Sequence, residues 1–232
     1  MLSLSGFFTS IVSGSIGMAG GIMMLSIMAN YFTPIEVIPL HGLVQLFSNS
    51  SRVVLGFKAI QRGIVAAFFA GAVLGAAGAS QVVLEIPERE FKIGIAIFIL
   101  VVTWLPKIKA APEIPGKFFW IGLGATFVSV FVGATGLLIG PFFLREPLKK
   151  AEIIASQAAC QTLLHFLNVL VFVYLGFAFG NFLPILTGVI AGVFLGNWVG
   201  QVVMEKIPEN VFRWFFRATC TLLALRMLYL AI

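Results

Sequence analysis

Two apolar stretches carry the polar side chains that could do chemistry. Near residues 37–57 stand His41, Gln45, Ser48, Asn49, Ser50, Ser51 and Arg52; near residues 151–176 stand Ser156, Gln161, Thr162, His165 and Asn168. Amide, hydroxyl and imidazole N–H groups are donors that suit oxyanions. A spacing of four puts Gln45 with Asn49, and Gln161 with His165, on one helical face. Arg52 can attract an anion or, standing shortly before Lys58, snorkel to an interface. His165 is the deep group able to change charge near neutral pH, so it is the candidate carrier if transport is coupled to protons. The competing reading of both faces is hydrogen bonding between membrane helices.

Other chemistries find little support. The 9 acidic residues are all glutamates, and none lies deep in an apolar stretch. Cation carriers usually need an intramembrane carboxylate, which points away from a cation substrate. Glu36 and Glu152 open their stretches, where a carboxylate complements the helix dipole. Cys160 and Cys220 lack metal-ligand spacing and read as buried packing residues. There is no Walker motif and no Ser/His/Asp, zinc or paired-carboxylate arrangement, so neither an enzyme nor a cofactor is expected.

The elements that must position these residues follow from composition. Of 232 residues, 60% are hydrophobic and 10% charged, with mean hydropathy +1.07. A soluble domain is about 25% charged, so a water-soluble enzyme, a nucleic-acid binder and a disordered chain are all excluded. The start, MLSLSGFF, lacks the basic region of a signal peptide and reads as structure. Eight apolar segments are expected, near 4–32, 37–57, 63–84, 91–105, 118–144, 151–176, 182–204 and 210–231, each long enough to be weighed against the roughly 20 residues of a spanning helix. The fold class is therefore an all-α polytopic membrane protein.

The two halves, residues 1–110 and 111–232, repeat one another. Ser13 and Gly17-Met-Ala-Gly20 align with Ser129 and Gly133-Ala-Thr-Gly136 at an offset of 116, which also pairs Glu36 with Glu152, Gln45 with Gln161 and Asn49 with His165. Gln81-Val-Val-Leu-Glu85 matches Gln201-Val-Val-Met-Glu205 at an offset of 120. Internal repeats of this kind mark secondary transporters. Segments three and seven carry small residues every fourth position: Gly63, Ala67, Gly71, Gly75 and Ala79, then Gly188, Gly192, Gly196 and Gly200. Such ladders let helix backbones approach closely; the alternative is a flexible gate.

The first segment of each half is longer than a span needs and carries glycines near its middle, in IVSGSIGMAGGIMM and FVSVFVGATGLLIG. Glycine costs roughly 1 kcal/mol within a helix, so these segments are expected to break, either as re-entrant hairpins or as crossing helices with unwound middles. If all eight cross, Lys58, Arg62, Lys107, Lys109 and Lys117 face one side, a count of 5, and Arg89, Lys92, Arg145, Lys149, Lys150, Lys206 and Arg213 the other, a count of 7. If segment five returns to the side it left, the counts become 10 and 2, with Arg89 and Lys92 alone outside. The positive-inside rule prefers the second arrangement, which makes the halves inverted copies with both termini outside. Anions would then meet backbone N–H groups at the breaks: Gly17, Ala19, Gly20 and Gly21 in the first half, and Gly133, Thr135 and Gly136 in the second, with Gln45, Asn49, Arg52, Gln161 and His165 around them.

The duplicated four-segment layout, SGSIGMAGG, its weaker counterpart VSVFVGATGLLIGP, and the polar helices running to SNSSRVVLGF and LLHFLNVLVFVYLGF resemble the sulfite exporter TauE/SafE family. The resemblance covers nearly the whole chain. It implies a permease of the prokaryotic cytoplasmic membrane that moves sulfite, sulfoacetate or other sulfur-containing or organic anions. The partners expected are a small sulfonate-like anion and the lipid bilayer; proton coupling and a homodimer stay open, as do a carboxylate transporter and an anion channel with the same architecture. No nucleic-acid partner is expected.

Overall fold

The computed structural model describes residues 2–16, 19–82, 87–104, 114–143, 145–203 and 209–231. Every regular element among them is helical. In chain order these are α1 (Leu2–Ile16), α2 (Ala19–Met28), α3 (Pro34–Gly56), α4 (Arg62–Ser80), α5 (Glu88–Trp104), α6 (Lys117–Val132), α7 (Gly136–Phe143), α8 (Lys150–Tyr174), α9 (Leu183–Val203) and α10 (Glu209–Ala231). Short 3-10 turns follow α3, at Phe57–Ala59, and precede α9, at Phe179–Phe182. The eight expected segments are all present, and the first and fifth are each divided into two helices.

Both divided segments fold back on themselves. The Thr9 hydroxyl of α1 lies 3.6 Å from the Met24 sulfur of α2, whereas one continuous helix would separate those residues by about 22 Å. The rings of Phe118 in α6 and Phe143 in α7 sit 5.0 Å apart, against about 38 Å for a straight helix. The second reversal has a visible cause. Gly133 takes φ +81° and closes α6 by donating its N–H to the Ser129 carbonyl at 2.8 Å. That left-handed region is cheap for glycine alone. Ala134 and Thr135 bridge to α7, whose Leu138 N–H already returns to the Thr135 carbonyl.

Each hairpin is held by the glycine face of a helix from the other half. α6 lies on α4, and α1 on α9. A Cβ on Gly71 would fall 1.9 Å from the Phe119 carbonyl oxygen, one on Gly75 would fall 2.2 Å from that of Leu123, and one on Gly122 would fall 2.0 Å from that of Phe68. Across the other pair, a Cβ on Gly196 would come within 2.2 Å of the Phe7 carbonyl oxygen, and one on Gly200 within 2.6 Å of that of Ile11. Backbones in direct contact gain dispersion where lipid gives no hydrophobic drive for association. The ladders are packing surfaces at these positions; Gly63 has open space and takes no part.

The remaining helices pair across the halves too. α3 lies on α8 and α5 on α10, while α3 also meets α9 and α8 also meets α4. One apolar core gathers α2, α3, α5, α9 and α10; a second gathers α4, α6, α7 and α8 and includes Cys160. Cys220 is buried in the first, so both thiols are packing residues. Glu36 and Glu152 cap their helices: their carboxylates accept the Thr33 N–H at 2.9 Å and the Lys149 N–H at 2.8 Å. Among the described residues three helical stretches, Arg62–Ser80, Lys150–Tyr174 and Phe179–Gly200, are long and apolar enough to cross a membrane. The outer surface carries exposed Trp198, Trp214, Val54 and Ile35, as a lipid-facing exterior does.

Candidate functional site

The packing of α3 on α8 brings the two polar faces together, and α2 and the second helix break close over them. α3 contributes His41, Gln45 and Arg52; α8 contributes Gln161 and His165; the first hairpin adds Gly21 and Ile22, and the second adds Ala134, Thr135 and Gly136. They enclose a cavity of about 10 Å³, room for the centre of about one water molecule. Its wall is polar although the surrounding helices are apolar.

Four buried atoms of these lining residues have no hydrogen-bond partner: His41 Nδ1, Thr135 Oγ1, Gln161 Nε2 and His165 Nδ1. Leaving such an atom unsatisfied costs about 1–3 kcal/mol, so four around one small space is an expensive arrangement unless something else meets them. The two imidazole rings stand edge to face with centroids 6.1 Å apart. His41 Nε2 lies 2.9 Å from the Gly21 carbonyl oxygen. A carbonyl only accepts, so Nε2 donates and carries the hydrogen.

Arg52 does not snorkel. It is 4% exposed, and its guanidinium donates to the Asn49 side-chain oxygen. Asn49 is itself fixed, donating its amide to the Gln45 carbonyl at 2.8 Å. Asn197 of α9 braces the same turn, donating to the Ser48 carbonyl at 3.0 Å and to the Ser51 hydroxyl at 2.7 Å. On the other side Ser129 and Asn168 bond to each other, joining α6 to α8. Among the described residues Arg52 is the one charged side chain in the buried polar set. An interior with one fixed cation and no carboxylate in the cavity wall favours an anion.

Glycine lets both breaks seat against this wall. A Cβ on Gly21 would lie 3.5 Å from the Gln45 amide, and one on Gly136 would lie 2.9 Å from Gln161 Oε1. Gly21 is thus the spatial counterpart of Gly136, one residue from the Gly20 that the sequence offset pairs with it. Gly21 is the third residue of α2, whereas Gly136 is the first of α7. Gln157, next to this wall, donates to the Gly136 carbonyl at 3.4 Å.

Of the twelve residues expected from sequence, Gly21, Gln45, Arg52, Thr135, Gly136, Gln161 and His165 line the cavity. Gly133 stands behind it, where a Cβ would come 3.2 Å from His41 Nδ1. Asn49 is buried behind Arg52 and positions it rather than facing the cavity. Gly20 is buried in α2, and Ala19 opens that helix; Gly17 lies outside the described residues. The wall residues that the expected site leaves out are Ile22, His41 and Ala134, of which His41 is the polar one, named among the candidate side chains but not placed in the site. A signal existed: His41 sits four residues before Gln45 on the same face, and the offset of 116 pairs it with Gln157.

The family model described as sulfite exporter TauE/SafE matches residues 2–227. Neither a curated protein nor a solved structure matches the chain. The match over nearly the full length, to a chain whose described residues form helices packed through glycine around a buried polar cavity, identifies the chain as a member of the sulfite exporter TauE/SafE family of membrane transporters.

Proposed function

We propose that this chain is a secondary transporter of small anions of the sulfite or organosulfonate type, working by alternating access in the cytoplasmic membrane of a prokaryote. The single observation that carries the reading is the set of unsatisfied buried atoms, His41 Nδ1, Thr135 Oγ1, Gln161 Nε2 and His165 Nδ1, on residues that line one cavity together with Arg52. An oxyanion offers several acceptor oxygens to such a set. A cavity with room for about one water molecule is too small for a sulfur oxyanion, which fits a carrier in a closed state rather than an open pore.

The halves, 1–110 and 111–232, are read as inverted repeats. Support comes from the reciprocal pairing of elements: α1 on α9 mirrors α6 on α4, and α3 meets α8 at the centre. The two hairpins are read as re-entrant, leaving three crossings in each half and both termini outside. The connection of the second hairpin, Ala134 and Thr135, lines the cavity, and non-helical backbone at membrane depth is tolerated where it lines such a space. Rocking of one half against the other would open the cavity to alternate sides.

Proteoliposomes loaded and challenged with sulfite, thiosulfate, sulfoacetate, taurine and small carboxylates test the reading. Saturable uptake that shows counterflow with a sulfur oxyanion is expected. Non-saturable flux without counterflow would replace the carrier by a channel, and selective flux of carboxylates would replace the substrate class.

A further inference from the structure

We propose that the cleft between the two arms of the second hairpin holds one anionic phospholipid of the cytoplasmic leaflet, its phosphate at Lys117 and Arg145 and an acyl chain laid between α6 and α7. The inference rests on the re-entrant reading of that hairpin and is independent of the transported substrate. The cleft encloses about 500 Å³. On α6 it is lined at helical spacing by Lys117, Trp120, Gly124 and Val128; α7 supplies Leu138, Ile139 and Phe142, and Arg145 follows at the open end. Along the cleft the order is cation, then tryptophan, then apolar wall. A lipid presents its phosphate, its interfacial esters and its chain in that same order, and tryptophan favours the interfacial level. From Lys117 to Val128 α6 rises about 16 Å, and one leaflet is half of a hydrocarbon core of roughly 30 Å. The cleft therefore runs the depth of one leaflet, from the ends of the hairpin towards its turn.

Charge selects the head group. The connection after α7 carries Arg145, Lys149 and Lys150 against one carboxylate, Glu146, with which Lys117 pairs. The next carboxylate along the chain, Glu152, is taken up by the Lys149 N–H and by the Gln61 amide. The open end of the cleft is thus net positive, and basic pockets between membrane helices on the cytoplasmic side favour anionic head groups. A chain that moves from bilayer to cleft stays among apolar groups and gains no hydrophobic free energy, so the preference between lipids comes from the phosphate end. Gly124 marks where the chain would lie: a Cβ there meets nothing within 4 Å. The same short helix serves both spaces, since α7 opens with Gly136 in the wall of the polar cavity and turns Leu138 and Ile139 to the cleft. A bound lipid would therefore back the helix that closes the transport site.

Native mass spectrometry of the full-length protein, released from nanodiscs of equal phosphatidylglycerol and phosphatidylcholine, reads which lipid stays bound. Wild type should retain one phosphatidylglycerol, preferred by about fivefold, the equivalent of about 1 kcal/mol for one uncompensated cation. Arg145→Gln should lose that preference and keep its melting temperature. Gly124→Phe, whose side chain grows into open space, should fold and retain neither lipid. Position is read separately, and without that variant. At equal low mole fraction, phosphatidylglycerol with brominated chains should quench Trp120 more than brominated phosphatidylcholine does; the chain has 4 tryptophans, so Trp120→Phe gives the background to subtract. Equal retention of the two lipids by wild type, a preference that survives Arg145→Gln, retention unchanged in Gly124→Phe, or equal quenching of Trp120 would each overturn the proposal. So would a wild-type dimer that Gly124→Phe dissociates, which gives the cleft to a second copy. All of these leave the re-entrant reading standing. Labelling of Lys107→Cys and Lys150→Cys from opposite faces would instead overturn that reading, and the leaflet assignment with it.

Discussion

Lys117, the first residue of α6, forms an ion pair with Glu146, just beyond the end of α7. The two residues stand at opposite ends of the fifth segment, so the place where the chain enters that hairpin and the place where it leaves are the same. Both partners keep some exposure, 30% and 17%, and such a pair contributes at most about 1 kcal/mol. Its meaning is geometric. A segment whose ends touch is a hairpin, as the proposed re-entrant arrangement requires.

Cysteine scanning in intact cells follows directly. Lys107→Cys, Lys150→Cys and Lys206→Cys should label from the cytoplasmic face, since the charge count of 10 against 2 depends on segment five returning. Lys107 and Lys206 lie outside the described residues, so this experiment adds the flanking loops to what the ion pair says about the hairpin itself. Labelling of Lys107→Cys and Lys150→Cys from opposite faces would remove the re-entrant arrangement.

Gly136→Ala should fold and bind poorly. Its new Cβ would stand 2.9 Å from Gln161 Oε1, the far end of a flexible side chain, so the amide swings aside and takes its Nε2 out of the cavity. A loss of about tenfold in sulfite affinity is expected, the lower end for a hydrogen bond to a charged group. Wild-type affinity in a monodisperse Gly136→Ala protein would mean that this glycine only packs.

Gln45→Leu and Gln161→Leu should each weaken anion binding by about ten- to a hundredfold, the equivalent of about 1.5–3 kcal/mol. Gln161 Nε2 is buried without a protein partner, so its removal frees the protein of an unsatisfied group. Gln161→Leu should therefore hold or raise thermal stability while it lowers affinity. A fall in both would mark Gln161 as structural.

Gly71→Val and Gly196→Val should fail differently, in assembly rather than in binding. Their side chains would grow into the backbone carbonyls of Phe119 and Phe7, at 1.9 and 2.2 Å from Cβ, and backbone does not yield as a side chain does. Overpacking usually costs about 1–3 kcal/mol, and helix separation here puts the cost at or above that range. Size-exclusion profiles and melting temperatures are the measurements. Gly63→Val, with open space around it, should match wild type and serves as the control.

Hydropathy alone made the segment map legible. Spans, short connections and the two divided segments are written in runs of apolar residues punctuated by glycine. The capping role of Glu36 and Glu152 was legible because position within the first turn decides it. His41 was not, because a lone histidine on an apolar helix looks like packing until the opposite hairpin is seen to turn beside it at Gly133. Arg52 shows the same limit: snorkelling and burial are both open from its position in α3, and the choice falls to Asn49 and to a cavity completed by three other helices, α2, α7 and α8. The shift from Gly20 to Gly21 escaped for a smaller reason, since an alignment offset counts residues whereas a helix counts angles.

The glycine-to-backbone seam between α1 and α9 has a consequence in time. α1 and its partner stand near opposite ends of the chain, and synthesis runs at about 5–20 residues per second. The first hairpin therefore waits for about 9–35 s before the glycine face of α9, Gly196 and Gly200, exists to seat it. During that interval its backbone at Phe7 and Ile11 lies open to lipid or to the insertion machinery. The second hairpin has no such delay, because α4 is already made when α6 emerges. The half finished first is completed last, and quality control acting on this protein has its longest opportunity at the N-terminal hairpin.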